Sequence, residues 1–167
     1  MTQPNIVIID YSVGNIHSVY NALKTLNYKN IKITNKKEII SDADFIILPG
    51  VGAFDKCIKN LRDLKLDNIL EKEILIKKKP LMGICVGMQM LADYSDENGI
   101  HKGLGWIPGN VQKIKTKQKL PIPHVGWNNI NIDKKSLLIS KNLDNVNFYF
   151  DHSYNFNCDQ KYITAHA

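Results

Sequence analysis

The sequence predicts an α/β fold in three layers, with an open, mostly parallel sheet and helices on both faces. Three short apolar runs predict buried strands, at residues 5–10, 45–48 and 81–84. The first run is almost continuously apolar and β-branched, as expected of a strand that is covered on both faces of a parallel sheet. Segments with helical spacing of apolar residues lie between the runs, and this alternation favours helices packed on a parallel sheet.

A polar turn at residues 11–15 follows the first strand and leads into the first predicted helix, with Asn15 as its N-cap. Residues 30–34 predict a second strand, and residues 54–64 and 67–78 predict amphipathic helices. One face of the first helix is marked by apolar residues at helical spacing: Ile16, Val19, Tyr20, Leu23 and Leu26.

A glycine-rich turn ends the third predicted strand, at residues 49–54. Open α/β sheets bind their ligands at the carboxyl ends of the strands, where this turn lies. Gly50, Val51 and Gly52 would let backbone amides turn toward a bound oxygen, as one half of an oxyanion hole. A plain tight turn into the next helix is the alternative interpretation.

The central motif is Gly83-Ile84-Cys85-Val86-Gly87, which joins a predicted strand to a predicted helix at residues 86–94. This arrangement is typical of a nucleophile elbow, in which glycines permit a sharp turn and the nucleophile, here Cys85, points outward. The helix N-terminus would lower the pKa of the thiol, and the Val86 N–H would help to hold an oxyanion. A buried structural cysteine in a glycine-rich turn is the alternative.

The second half of the chain contains a proline-bounded segment at residues 121–128. Three of its side chains end in polar groups: His124, Trp127 and Asn128. Such loops commonly hold a surface rigid for recognition, which favours an interface over a catalytic role for His124. Further strands are predicted at residues 110–115, 147–150 and 161–167.

Composition limits the class of protein. Hydrophobic residues are 44% and charged residues 23% of the 167-residue chain, close to the averages of soluble globular domains. The length predicts one domain, residues 1–167. The lack of a long apolar run or a signal pattern predicts a cytoplasmic protein without membrane contact. Three cysteines without metal-type spacing indicate a reducing compartment and no metal or organic cofactor.

The net charge of +6 comes mostly from lysines. A surface for an anionic partner is one interpretation, and solvated lysine-rich faces are the other. No pattern of stacking aromatic residues accompanies the charge, and we therefore predict no nucleic-acid binding.

Residues 83–89 resemble the nucleophile motif of the class I (triad) glutamine amidotransferases. The elbow alone indicates only this superfamily. Four further motifs, in this order, resemble those of the glutaminase subunits of imidazole glycerol phosphate synthase: Asp10-Tyr11-Ser12-Val13-Gly14-Asn15, Pro49-Gly50-Val51-Gly52, Pro123-His124-Val125-Gly126-Trp127-Asn128 and Phe148-Tyr149-Phe150-Asp151-His152-Ser153-Tyr154.

The resemblance implies a class I glutamine amidotransferase-like fold and hydrolysis of glutamine to glutamate and ammonia through a thioester on Cys85. It implies a heterodimer with a (β/α)8 cyclase subunit, which uses the ammonia to make imidazole glycerol phosphate in histidine biosynthesis. The oxyanion hole would comprise Gly50, Val51, Gly52 and Val86. Substrate glutamine would contact Gln89, His152, Ser153 and Tyr154. The cyclase would face His124, Trp127 and Asn128.

This sequence differs from the family in the motif that supplies the catalytic base. The resemblance implies a downstream Phe-His-Pro-Glu segment with the catalytic His and its orienting Glu, and this sequence contains none. We therefore expect a domain truncated at its C-terminus, with weak or no glutaminase activity, and we name no base. The local sequence marks none of the histidines for that role: His17, His101, His124, His152 and His166.

Two alternatives to a histidine-pathway glutaminase stay open. The chain could be a paralogue that supplies ammonia to a sugar-amidating enzyme of surface polysaccharide synthesis, because nothing in the motifs excludes that acceptor. It could also be a non-catalytic protein that binds the cyclase and lacks the triad.

Overall fold

A four-stranded parallel sheet forms the centre of the protein. The computed structural model describes residues 3–13, 15–116, 120–134, 136 and 139–167; Gly14, which belongs to the first motif, lies outside them. The strands run in the order β2-β1-β3-β4, and all three neighbouring pairs are parallel. Their bounds are β1 (Ile6–Ile9), β2 (Ile31–Thr34), β3 (Phe45–Leu48) and β4 (Leu81–Gly83).

Helices cover both faces of this sheet. Successive side chains of a strand point to opposite faces, and the core divides accordingly: Ile8 of β1 packs with Ile16 of the first helix, whereas Ile9 packs with Phe54 of the third. The predicted three-layer α/β fold is therefore confirmed. The helices are α1 (Ile16–Thr25), α2 (Lys37–Ser41), α3 (Phe54–Asp63), α4 (Leu66–Glu71), which continues into a π-helical turn at Lys72–Ile76, and α5 (Val86–Gln89).

Beyond residue 90 the described strands pair antiparallel, except for β5 and β7, which are parallel. One four-stranded sheet has the order β11-β7-β5-β6, β8 pairs with β10 in a ribbon, and β9 pairs with β12. Among the described residues, no helix is long and apolar enough to cross a membrane. The strands are β5 (Tyr94–Ser95), β6 (His101–Lys102), β7 (Gly109–Lys113), β8 (His124–Asn129), β9 (Asn131–Ile132), β10 (Asn147–His152), β11 (Tyr154–Cys158) and β12 (Ala165–His166).

Two predicted elements differ from the structure. The helix predicted at residues 86–94 ends at Gln89, because the carbonyls of Met90 and Ala92 accept hydrogen bonds from a glycine-containing loop at residues 103–107 instead of continuing the helix. The strand predicted at residues 161–167 begins as a 3-10 turn, which the Asp159 side chain caps by accepting from the Lys161 N–H. Only the last part of that segment is a strand.

Candidate active site

A sharp strand-to-helix turn places Cys85 at the edge of the parallel sheet. Its side chain is exposed, and its backbone has φ 52° and ψ −118°, a conformation that residues other than glycine rarely adopt. Hydrogen bonds hold the turn on both sides, from Ile84 N to Leu48 O (3.0 Å) and from Gln89 N to Cys85 O (3.1 Å). The turn therefore has the strained, outward geometry of a nucleophile elbow.

Glycines let the elbow pack directly against the end of β3. A Cβ atom on Gly87 would lie 1.9 Å from the Leu48 carbonyl oxygen, and one on Gly83 would lie 2.6 Å from Met88 Cα. On Gly50 it would lie 2.4 Å from Gly87 N. Side chains do not fit at these three positions, so glycine brings the turn after β3 into contact with the first residues of α5.

The pKa of the Cys85 thiol is raised above its ordinary value. Partial burial disfavours the thiolate, and the carboxylates of Asp151 and Glu97 raise the pKa further, while the Val86 N–H acts in the opposite direction by donating to the sulfur. The Val86 N–H at the start of α5 thus lowers this pKa, as predicted for a helix N-terminus. Burial of the thiol, together with the two carboxylates, outweighs it, so the prediction is wrong in its net direction.

The turn at residues 49–52, which we call the oxyanion turn, is held from the side of the core. The Tyr11 hydroxyl donates to the Pro49 carbonyl, and the Cys57 thiol donates to the Val51 carbonyl, with 3.6 Å between sulfur and oxygen. Val51 and Gly52 themselves are exposed. Three of the residues predicted for an oxyanion hole thus lie in one turn that touches the elbow through Gly50.

The predicted substrate-binding residues come from two distant segments that meet at the Tyr154 carbonyl. The Gln89 amide donates to this oxygen at 3.2 Å, and His152 Nδ1 donates to it at 2.9 Å. Gln89 is buried, whereas His152, Ser153 and Tyr154 are partly exposed. The structure therefore brings these residues together beside the elbow helix.

Sequence reasoning missed the carboxylates of this site. Glu97 Oε2 accepts a hydrogen bond from the Phe54 N–H at 2.9 Å, at the start of α3. The charge of Glu97 raises the pKa of Cys85 and of Tyr154. Asp151, quoted only as part of a motif, also acts on Cys85. No local pattern marks Glu97, because it lies in a polar loop and reaches the site through the tertiary fold.

The residues predicted for a partner interface lie on both faces of the β8–β10 ribbon. Trp127 is 73% exposed, and its ring makes an edge contact with Tyr149 at 5.6 Å between centroids. His124 and Asn128 lie on the other face. There His124 Nδ1 is 3.1 Å from His152 Nε2, and Asn128 Nδ2 is 3.5 Å from His124 Nε2.

A base for the thiol is not found beside it. Among the described residues, no histidine hydrogen-bonds to Cys85, and His124 and His152 are engaged with each other. The described part of the chain also has no group of three His, Cys, Asp or Glu side chains that could hold a metal ion.

The fold and the turn define an α/β protein that carries a cysteine at a nucleophile elbow. The profile of the family described as glutamine amidotransferase class-I matches residues 7–166. A solved structure titled as the crystal structure of a glutamine amidotransferase superposes with a TM-score of 0.74 at 18% identity, covering 96% of this chain and 79% of that one. The likeness supports the fold.

Sequence relatives agree with this family. The imidazole glycerol phosphate synthase subunit HisH 2 of Vibrio vulnificus (strain YJ016) is 43% identical over 160 residues, which cover 96% of this chain and 75% of the relative. The HisH subunit of Listeria monocytogenes serotype 4a (strain HCC23) is 44% identical over 160 residues, covering 96% and 76%. The chain belongs to the class-I glutamine amidotransferase family, and the resemblance predicted from its motifs is confirmed.

Proposed function

We propose that this protein is a glutaminase subunit of imidazole glycerol phosphate synthase. It hydrolyses glutamine to glutamate and ammonia in the cytoplasm and passes the ammonia to a (β/α)8 cyclase partner of histidine biosynthesis. One observation carries this proposal: an exposed cysteine lies on a strained elbow whose next residues pack against a glycine-rich turn, in a chain 43% identical to a HisH relative. Residues 1–167 act in this proposal as one glutaminase domain.

Cys85 performs the covalent step. Its sulfur attacks the carboxamide carbon of glutamine, and the carbonyl oxygen becomes an oxyanion near the Val86 N–H and the amides of the oxyanion turn. When the tetrahedral intermediate collapses, the C–N bond breaks and the thiol proton leaves with the nitrogen as ammonia. Water then cleaves the thioester, which releases glutamate and restores the thiol.

The polar groups around the elbow suit the amino-acid end of glutamine. The carboxylate of Glu97 lies close enough to raise the pKa of Cys85, and it supplies the negative charge that an α-ammonium group requires. The amide nitrogen of Gln89 is held by the Tyr154 carbonyl at 3.2 Å, which directs the rest of this side chain. Together with His152 and Ser153, these residues form the proposed substrate pocket.

The outer face of the β8–β10 ribbon is the proposed cyclase-binding surface. Trp127 pairs in register with Tyr149, and Val125 pairs with Asp151, so these four side chains share one face. Trp127, Tyr149 and Val125 are 73%, 59% and 51% exposed. These exposed side chains give the ribbon a largely apolar outer face, as a partner-binding surface requires.

Replacing Trp127 by alanine is expected to weaken cyclase binding by roughly thirtyfold, about 2 kcal/mol, because a central aromatic anchor is lost. Titration of the labelled cyclase measures the effect. Ile76→Ala is the matched control, since Ile76 is also 73% exposed and precedes β4 at the other end of that strand from the elbow. An equal loss for both variants, or no loss for Trp127→Ala, would contradict the proposed surface.

The function itself is tested by measuring glutamate release from glutamine with the cyclase and an acceptor analogue present. We expect release that depends on the cyclase, slow for this chain because no described residue serves as a base for Cys85, and faster for a version extended by any downstream coding sequence. Release that depends only on a sugar-amidating enzyme would support the paralogue instead. Cyclase binding without release from either chain would support a non-catalytic binding protein.

A further inference from the structure

Two buried side chains outside the elbow hold the oxyanion turn in place. Tyr11 follows β1 and Cys57 lies in the first turn of α3, and both are 0% exposed. The Tyr11 hydroxyl donates to the carbonyl of Pro49, and the Cys57 thiol donates to the carbonyl of Val51. The Asn60 side chain in turn donates to the Tyr11 carbonyl at 3.3 Å, which ties the first anchor to α3 as well.

These two hydrogen bonds fix the direction of the neighbouring amides. The only cis peptide bond of the described residues joins Ile122 to Pro123. The peptide units after Pro49 and Val51 are therefore trans, with the C=O and the next N–H pointing in opposite directions. Since both carbonyls point into the core, the N–H groups of Gly50 and Gly52 point away from Tyr11 and Cys57. Gly52 is exposed, and Gly50 is buried against the first residues of α5, next to Cys85.

We propose that Tyr11 and Cys57 are positioning residues of the oxyanion hole, which hold the oxyanion turn so that its outer amides face the thiol. This inference rests on the proposed function. Neither residue touches the substrate, and each acts through a backbone carbonyl.

Both anchors remain donors across the working pH range. Burial raises the pKa of Cys57 to about 11, with the nearby Cys85 and Glu97 adding to the effect. Burial also raises the pKa of Tyr11, and Cys57 and Cys85 add to it. A thiol or phenol that stays protonated can only lose its carbonyl partner by substitution or by movement of the turn. The anchors are thus permanent features of the folded chain.

The test compares two electrophiles at Cys85. A chloroketone analogue of glutamine passes through an oxyanion when the thiolate attacks its carbonyl, whereas iodoacetamide reacts by displacement without one. Peptide mass spectrometry measures both labelling rates at Cys85. The ratio of the chloroketone rate to the iodoacetamide rate therefore reports oxyanion stabilisation separately from thiol reactivity. We expect Cys57→Ala and Tyr11→Phe each to lower this ratio about tenfold, less than the roughly hundredfold or larger effect of deleting an oxyanion donor.

A conservative variant and a remote variant distinguish a positioning role of Cys57 from a general loss of folding. Cys57→Ser keeps a donor and is expected to restore the ratio to within about twofold of the unchanged protein, even if Cys57→Ala folds poorly. Cys158→Ala, in β11, is expected to leave the ratio unchanged. A ratio for Cys57→Ala and Tyr11→Phe equal to that of the unchanged protein would overturn the inference. If the unchanged protein itself shows no preference for the glutamine analogue, the proposed function fails and the inference fails with it.

Discussion

Replacing Cys85 by alanine is expected to abolish glutamate release, by at least about a thousandfold, while the complex with the cyclase still forms. The thioester cannot form without the sulfur, so the covalent route to glutamate is lost. The fold should survive, because Cys85 is exposed and the loss of an exposed sulfur leaves no internal cavity. Coupled detection of glutamate measures the rate, and the cyclase titration checks binding.

Cys158→Ala is the matched control for this variant. It also exchanges a cysteine for alanine, but Cys158 lies in β11 opposite Gly109 and has no part in the proposed chemistry. We expect its rate to stay within about twofold of the unchanged protein, as for surface substitutions away from special features. Glutamate release by Cys85→Ala at more than a tenth of the original rate would remove Cys85 from the mechanism.

The elbow was predictable because its causes are local in sequence. A strand, two glycines and a helix start lie within a few residues, and Gly83 is required by its contact with Met88. Gly87 is required by the Leu48 carbonyl at the end of β3, a contact that the motif itself does not show. The order of buried strands also predicted the parallel sheet, since β1 and β3 are apolar along their whole length. The glycine spacing and the apolar strands are therefore sufficient to predict the elbow turn and the parallel sheet.

The electrostatics of the thiol were not predictable in the same way. The pKa of Cys85 is raised partly by Glu97 and Asp151, which come from a polar loop and from β10. Glu97 is held by the Phe54 N–H, 43 residues away in the chain. The elbow motif alone indicates the helix N-terminus but shows neither the burial of the thiol nor the two carboxylates, so it predicts the wrong net direction.

The predicted partner surface depends on a segment whose local structure differs from the prediction. A proline-bounded loop would present His124, Trp127 and Asn128 as one surface. The segment is strand β8, whose residues alternate between partly buried and exposed, so Trp127 faces away from His124 and Asn128. The period of two that defines a strand would have separated them, had the strand been predicted.

A buried acidic residue far from the elbow provides the second large expected effect. Glu73 lies in the π-helical turn after α4 and is 0% exposed. Its Oε1 accepts from Ser41 Oγ at 3.1 Å and from Lys77 Nζ at 2.9 Å. Its Oε2 lies 2.8 Å from Lys79 Nζ, an ion pair whose angles fall short of a hydrogen bond.

Glu73→Gln is expected to lower the free energy of unfolding by about 3 kcal/mol, because removing one member of a buried ion pair leaves its partner uncompensated. Lys79 has a side chain only 16% exposed and cannot turn fully into water, whereas Lys77 is 44% exposed and can. Urea unfolding at pH 7 measures the effect. Glu71→Gln, on the exposed side of α4, is the control and is expected to change the stability by less than about 0.5 kcal/mol.

The same network predicts how stability depends on pH. Burial alone would raise the pKa of Glu73, but its contacts with Lys79, Lys77 and Ser41 outweigh burial and lower it from 4.5 to about 2. A carboxyl with a lower pKa in the folded state stabilises the protein fully above its unfolded pKa and loses that contribution as the pH falls toward the folded value. The difference between the unchanged protein and Glu73→Gln should thus be constant above about pH 5 and shrink toward pH 2. A difference that does not vary with pH would show that Glu73 contributes by packing and not by charge.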